Sequence, residues 1–284
     1  MPMTPGTEEL GELEQLAIEA ATEAGRFIVD ERPAQLGVAE TKSSATDVVT
    51  VMDQRAEQML RRRITAARPH DAIVGEEAAA TDGSSGITWL VDPIDGTVNY
   101  LYGIPAYCVS VAAVTGDASV PGGWRPVAGA VFNPSTGEVF HARLGGGACL
   151  HGGRGTPPEG LPVAVSGVTT LGQALTGTGF GYLPEVRARQ GAVAAALLPH
   201  VRDLRRAGSA ALDLCAVASG HLDAYFESGL NPWDLAAGWL VAAEAGALVT
   251  GLRSAGPAAE MTVAAGPGVH GELVQRLEGL IPAP

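Results

Sequence analysis

A chain of 284 residues, 46% of them hydrophobic, can bury a substantial core as one large domain or two closely packed ones. Its 18 Lys and Arg stand against 31 Asp and Glu, a formal net charge of −13. That balance argues against a nucleic-acid partner, because binding a phosphate backbone needs a concentrated basic footprint.

Cys108, Cys149 and Cys215 are few, widely spaced and set among apolar neighbours. They suit free thiols in a reducing compartment, and no Cys/His spacing proposes a zinc site. No basic-then-apolar leader is visible, and the apolar run Leu235 to Val249 is interrupted by Glu244 and too short to span a bilayer. A cytoplasmic protein with no membrane partner is expected.

Residues 1–8 are polar and read as frayed. From Leu10 onward, Leu13, Leu16, Ala17, Ala20, Ala24, Phe27 and Ile28 recur at helical spacing and predict a long amphipathic helix. Lys42 to Thr50 reads as a loop or hairpin edge. Asp53 is placed to cap a second helix that turns Ala56, Met59, Leu60 and Ile64 inward, with Arg61-Arg62-Arg63 on a solvated face. Short strands are predicted at 72–75, 88–92, 106–115, 126–132 and 137–143, separated by turns such as Asn133-Pro134-Ser135-Thr136-Gly137. The Gly/Pro-rich stretch Gly145 to Pro162 is read as a seam between an N-terminal half, 1–150, and a C-terminal half, 151–284, packed as one unit. Beyond it come strands at 162–166, 173–178, 201–205, 222–227, 246–250 and 261–265, and helices near 186–198, 209–219, 233–245 and 270–280. The whole reads as sheets layered with helices.

The chemistry concentrates in Trp89-Leu90-Val91-Asp92-Pro93-Ile94-Asp95-Gly96-Thr97, an apolar strand ending in two carboxylates. Carboxylates that close repel one another and are costly to bury without a cation or a strong partner network. More acid follows in kind: Gly75-Glu76-Glu77 after Ile73-Val74, and Asp234 after Asn231-Pro232-Trp233. Asp234 also has a local reading, as the N3 residue of a helix capped by Asn231 with Pro232 at N1. The combination of Glu76, Asp92, Asp95 and Asp234 at strand and helix ends points to hard divalent cations held by oxygen, and so to phosphate-ester hydrolysis.

These motifs, with Arg206-Ala207-Gly208-Ser209-Ala210-Ala211, Trp233-Asp234-Leu235-Ala236-Ala237-Gly238 and Glu244-Ala245-Gly246, resemble those of the inositol monophosphatase family across nearly the whole chain. That family is a branch of the magnesium-dependent, lithium-sensitive phosphatases that also include fructose-1,6-bisphosphatase. The resemblance implies a layered α/β fold, an α-β-α-β-α sandwich, and a homodimer. It also implies two to three Mg²⁺ ions, with Mn²⁺ as a substitute. Glu76, Asp92 and the carbonyl of Ile94 would hold the first; Asp92, Asp95 and Asp234 the second; and Glu76 would help hold a weaker third. Two ions about 4 Å apart can clamp the attacking and leaving oxygens of an in-line displacement. Thr97 would orient the attacking water, paired with Asp47, and the N–H groups of Gly96 and Thr97 would cradle phosphate. Gly208, Ser209, Ala210, Glu227 and Asp95 would bind substrate hydroxyls, with Lys42 and Glu77 supporting the ligands from behind.

Two departures from the family pattern are Val98, where Thr is common, and Cys149-Leu150-His151-Gly152, where Asn-Gly is common. Neither removes a ligand. The expected substrate is a small phosphorylated polyol, myo-inositol monophosphate. The alternatives are histidinol phosphate, a bisphosphate served by Arg187, Arg189 or Arg202, and a non-catalytic binder, which should have lost a metal ligand or Thr97.

Overall fold

Strands that are apolar on both faces need cover on both faces, and that requirement organises this chain. The computed structural model describes residues 5–44 and 47–282. Residues 1–4 of the stretch expected to be frayed, and 45–46 of the expected loop, lie outside the described residues. Thr7 and Glu8 are already helical, in α1 (Thr7–Asp30).

In chain order there follow β1 (Glu40–Thr41), β2 (Val48–Val49), α2 (Val51–Ala67), β3 (Ala72–Gly75), β4 (Ile87–Asp95), α3 (Thr97–Tyr102), β5 (Cys108–Gly116), β6 (Trp124–Asn133), β7 (Glu138–Arg143), β8 (Ala148–Gly152) and β9 (Leu161–Pro162). Then come β10 (Leu175–Thr178), α4 (Pro184–Leu197), β11 (Asp203–Arg205), α5 (Ala210–Ala218), β12 (Ala224–Glu227), α6 (Pro232–Glu244), β13 (Leu248–Thr250), β14 (Thr262–Ala265) and α7 (Pro267–Leu280). A seven-stranded sheet runs β3 through β9 in sequence order, antiparallel except for the β3–β4 pair. A five-stranded mixed sheet has the order β11-β10-β12-β14-β13.

Helices α1 and α2 cover one face of the first sheet, and α5 and α6 the other. The same α5–α6 pair packs on the second sheet, whose far side carries α7 with α4 against it. Five layers result, α-β-α-β-α. The middle layer explains the apolar run that begins at Leu235: α6 is buried between two sheets and so lacks a solvent face along most of its length. No helix among the described residues is long and apolar enough to cross a membrane. Small residues let this layer sit close. A Cβ on Gly238 would meet Leu214 Cβ at 2.8 Å, and one on Gly129 would meet Ala237 Cα at 3.2 Å.

Three sequence expectations shift. Strand β8 was not expected, and with β9 it extends the first sheet into the Gly/Pro-rich stretch. Asp53 is not the cap of α2; Thr50 is, and Asp53 is its N3 partner in a capping box. The Arg61–Arg63 face is not simply solvated, because Arg61 binds Glu57 at 2.7 Å and Arg63 pairs with Glu19.

Candidate active site

Asp92 and Asp95 reach the same cleft because the β4–β5 ladder is irregular between them. Asp92 pairs with Ser110 and Asp95 with Cys108, so three steps on β4 match two on β5. In an unbroken strand, residues three apart would face opposite sides; the extra residue re-aims the second carboxylate. The Asp92 carboxylate accepts from Ile94 N at 3.0 Å, closing a tight turn around Pro93. Gly96 then leaves the strand at φ 97°, and a Cβ there would meet Ala106 O at 2.9 Å and Gly208 O at 3.1 Å. Only glycine fits. Asn99 fastens this turn to the second half of the chain, donating to Ala106 O at 2.6 Å and Ala207 O at 2.9 Å.

Glu76 and Glu77 follow β3, which runs parallel to β4 and ends beside it. Gly75 is required because the buried Glu57 carboxylate lies where a Cβ would be, 2.5 Å away. Glu57 accepts from Glu77 N at 2.6 Å and Ala78 N at 3.1 Å, which fixes the turn. Lys42 bridges Glu76 and Glu77, each at 2.7 Å. Burial and the neighbouring Glu76 charge push the Glu77 carboxyl up to about 7, against the pull of Lys42.

Asp234 comes from the first turn of α6, with Asn231 as cap and Pro232 at N1; Asn231 N donates to it at 2.8 Å. Asp95 is held by Ser209 Oγ at 2.6 Å and Ala211 N at 2.8 Å, at the start of α5. Gly208, at φ 99°, permits that approach, since a Cβ would meet Asn99 Nδ2 at 2.9 Å. Glu227 ends β12 and accepts from Tyr225 OH at 2.5 Å.

One cleft of about 420 Å³ is lined by Lys42, Asp47, Glu76, Asp92, Ile94, Asp95, Gly96, Thr97, Gly208, Ser209, Ala210, Glu227 and Asp234. The residues expected to bind metal, phosphate and substrate hydroxyls therefore meet there, whereas Glu77 and the arginines Arg187, Arg189 and Arg202 do not line it. The cleft also has a wall that the sequence did not suggest, from Gly179 to Leu183, and Arg206 of the 206–211 motif lines it as well. Burial, then the charges of Glu76, Asp95 and Asp234, raise the Asp92 carboxyl well above the carboxylate range. Burial raises Asp234 likewise, with Glu76 and Asp95 adding to it. Asp95 is pushed to about 6 by burial, with the Ser209 and Ala211 hydrogen bonds opposing.

Thr97 corrects one expectation. Its hydroxyl lies 3.1 Å from Asp53 Oδ1 and 3.1 Å from Ile94 O, not beside Asp47. Asp47 instead accepts from Ser43 N at 3.0 Å and Ser43 Oγ at 2.6 Å, closing the turn between β1 and β2. Asp53 spends Oδ2 on Thr50 N, at 2.8 Å, and Thr50 Oγ1, at 2.5 Å, which leaves Oδ1 for Thr97. Fully buried, Asp53 is pushed up to about 6 by desolvation.

The donor set suits a hard divalent cation: carboxylate oxygens and the Ile94 carbonyl, with the nearby Cys108 thiol kept protonated by burial. Among the described residues no three His, Cys, Asp or Glu side chains stand in ready-made ligating geometry. Glu76 is turned to Lys42 and Asp95 to Ser209.

A layered α/β sandwich with an acidic cleft at the ends of β3, β4 and α6 defines a class of metal-dependent proteins. The chain belongs to the inositol monophosphatase family, whose model matches residues 9–281. It is 44% identical over 300 aligned residues to the inositol-1-monophosphatase SuhB of Mycobacterium tuberculosis, covering 99% of this chain and 100% of that one. It is 35% identical over 238 residues to the Nus factor SuhB of Vibrio cholerae, covering 83% of each. Among solved structures, M. tuberculosis SuhB superposes with a TM-score of 0.76 at 43% identity, over 95% of this chain and 97% of that one. The suhB protein of Bartonella henselae gives 0.82 at 31%, over 94% and 98%. Membership carries a general dependence on Mg²⁺.

Proposed function

We propose that this chain is a Mg²⁺-dependent phosphomonoesterase that hydrolyses myo-inositol monophosphate to myo-inositol and phosphate. The observation that carries the reading is the meeting of Glu76, Asp92, Asp95 and Asp234 in one cleft beside a Thr97–Asp53 hydrogen bond. The M. tuberculosis relative bears the corresponding name over the full length of the chain.

Glu76, Asp92, Asp95, Asp234 and the Ile94 carbonyl would hold two to three Mg²⁺ ions. When bound, the metal supplies Lewis acidity toward phosphoryl oxygens and makes water a stronger nucleophile near neutral pH. Thr97 has one hydroxyl proton and two acceptors in reach. Were Ile94 O to hold a metal, that proton would go to Asp53, and the Thr97 oxygen would be free to accept from the attacking water. Gly96 and Thr97 present backbone to the phosphate. The C-terminal half would supply the leaving-group side, since Glu227 and the Gly208-Ser209-Ala210 segment line the same cleft. The half-buried Glu227 carboxylate can accept from neighbouring hydroxyls and suits a polyol. The fold would act as a cytoplasmic homodimer.

The test is phosphate release from inositol 1-phosphate, histidinol phosphate and fructose 1,6-bisphosphate, each with and without Mg²⁺. Inositol 1-phosphate should have the highest kcat/KM and need the metal. A preference for histidinol phosphate would move the assignment to the ammonium-bearing leaving group.

A further inference from the structure

Behind the catalytic cleft lies a second cavity of about 600 Å³, bounded by α4, the end of α7 and β12. Gly179, Val186, Glu227 and Ser228 line both spaces, so the two are separated by one thin wall. Gln190 joins the two sides of that wall, while Arg187 also donates to Gly181 O at 3.3 Å. Gln190, on α4, accepts from Gly181 N at 2.8 Å and donates to Ser228 O at 3.0 Å and to Ser228 Oγ at 3.1 Å. It thereby ties the cleft-lining segment after β10 to the segment that leads from Glu227 to Asp234. The wall is closely packed, since a Cβ on Gly179 would meet the Glu227 carboxylate at 1.9 Å.

From this we infer that Gln190 is a specificity-determining positioning residue, a clasp that closes the leaving-group end of the cleft against the cavity behind it. The inference rests on the proposed phosphomonoesterase activity and goes beyond it in saying what limits leaving-group size. Gln190 itself touches neither the acidic cluster nor Thr97. Its amide satisfies both segments, because it offers an acceptor to Gly181 N–H and a donor to the Ser228 carbonyl. The cavity behind is largely apolar, with Val193, Phe226, Met261 and Ile281 in its lining. Opening the wall would extend the cleft into a space that takes an apolar leaving group and would loosen the grip on a compact polyol.

The experiment compares kcat and KM for inositol 1-phosphate and for 1-naphthyl phosphate in the wild type and in Gln190→Ala, with thermal melts of both proteins. Loss of two to three hydrogen bonds should raise KM for inositol 1-phosphate about 5- to 10-fold while kcat changes little. The ratio of kcat/KM for naphthyl over inositol phosphate should rise by at least about tenfold, since one buried polar wall group commonly sets selectivity of that order. A purely structural role would lower activity on both substrates together and leave the ratio unchanged, and that result would overturn the inference. Should Gln190→Ala not fold, Gln190→Glu keeps the volume and the acceptor toward Gly181 but loses the donor toward Ser228, and must shift the ratio in the same direction. Wild-type failure on both substrates would instead reject the phosphomonoesterase reading.

Discussion

Thr97 and its partner show what a single residue's placement decides. Asp53 sits 44 positions before Thr97, fully buried, with one carboxylate oxygen spent on the α2 cap and the other on Thr97. The Thr50-x-x-Asp53 spacing is legible as a capping box, but nothing in the sequence says where the spare oxygen points. Asp47 reads as the partner from the sequence, yet its Oδ2 is held by Ser43 N and Ser43 Oγ. Replacing Asp53 by Asn should therefore lower kcat about 100-fold or more, the scale for losing a positioned proton acceptor. Asp47→Asn should leave kcat nearly intact. Steady-state kinetics on the two variants decides between them, and equal losses would return Asp47 to the site. At Gly96 the constraint is backbone geometry: Gly96→Ala meets both a positive φ and Ala106 O at 2.9 Å. It should destabilise by about 1–3 kcal/mol in urea titration, the range for holding a residue in an unfavourable conformation.

Elements differ in how far the sequence alone specifies them, for physical reasons. The helices from Leu10 and near 209–219 and 233–245 announce themselves through periodicity and caps, and the structure places them at α1, α5 and α6 with small end shifts. Strand β8 did not, because Ala148-Cys149-Leu150-His151-Gly152 lies among glycines and lacks a β-branched run; it is a strand through its pairing with β7. The irregularity between Asp92 and Asp95 was equally hidden, since it exists only relative to β5. Contacts between layers are also invisible in sequence. Glu14 on α1 accepts from Arg143 at 2.6 Å and bonds His141 Nδ1 at 2.8 Å, joining the outer helix to β7. Burial raises the Glu14 carboxyl, but His141 and Arg143 outweigh it and hold it below its ordinary value of 4.5. A group depressed on folding contributes stability above its unfolded pKa and loses it as pH falls through the folded one. Glu14→Gln should thus cost about 1–3 kcal/mol near neutral pH. The gap from wild type should narrow as the pH falls below 4.5. Chemical denaturation across that range checks both the size and the sign.

At the scale of the whole molecule, the fold gathers acid from the ends of β3, β4 and α6 into one cleft and leaves it under mutual repulsion. Layering and sequence motif point to the same architecture because both depend on the apolar strand that carries Asp92. The order of β10 to β14 in the second sheet depends on long-range pairing and was not legible. A ligand that binds only the folded state stabilises by mass action, so Mg²⁺ at 100 times its Kd should raise stability by about 2.7 kcal/mol. Chelation should reverse this, and Na⁺ at equal ionic strength should not reproduce it. Asp92 is the hinge of the account, because Glu76, Asp95 and Asp234 all press on it. The most direct measurement is kcat for Asp92→Asn on inositol 1-phosphate across a Mg²⁺ series, with a melt to show the variant folded. A loss of at least ~100-fold that saturating Mg²⁺ does not restore is expected, since a neutral amide cannot replace a carboxylate between cations. Folded Asp92→Asn protein retaining more than about a tenth of the wild-type kcat would contradict it.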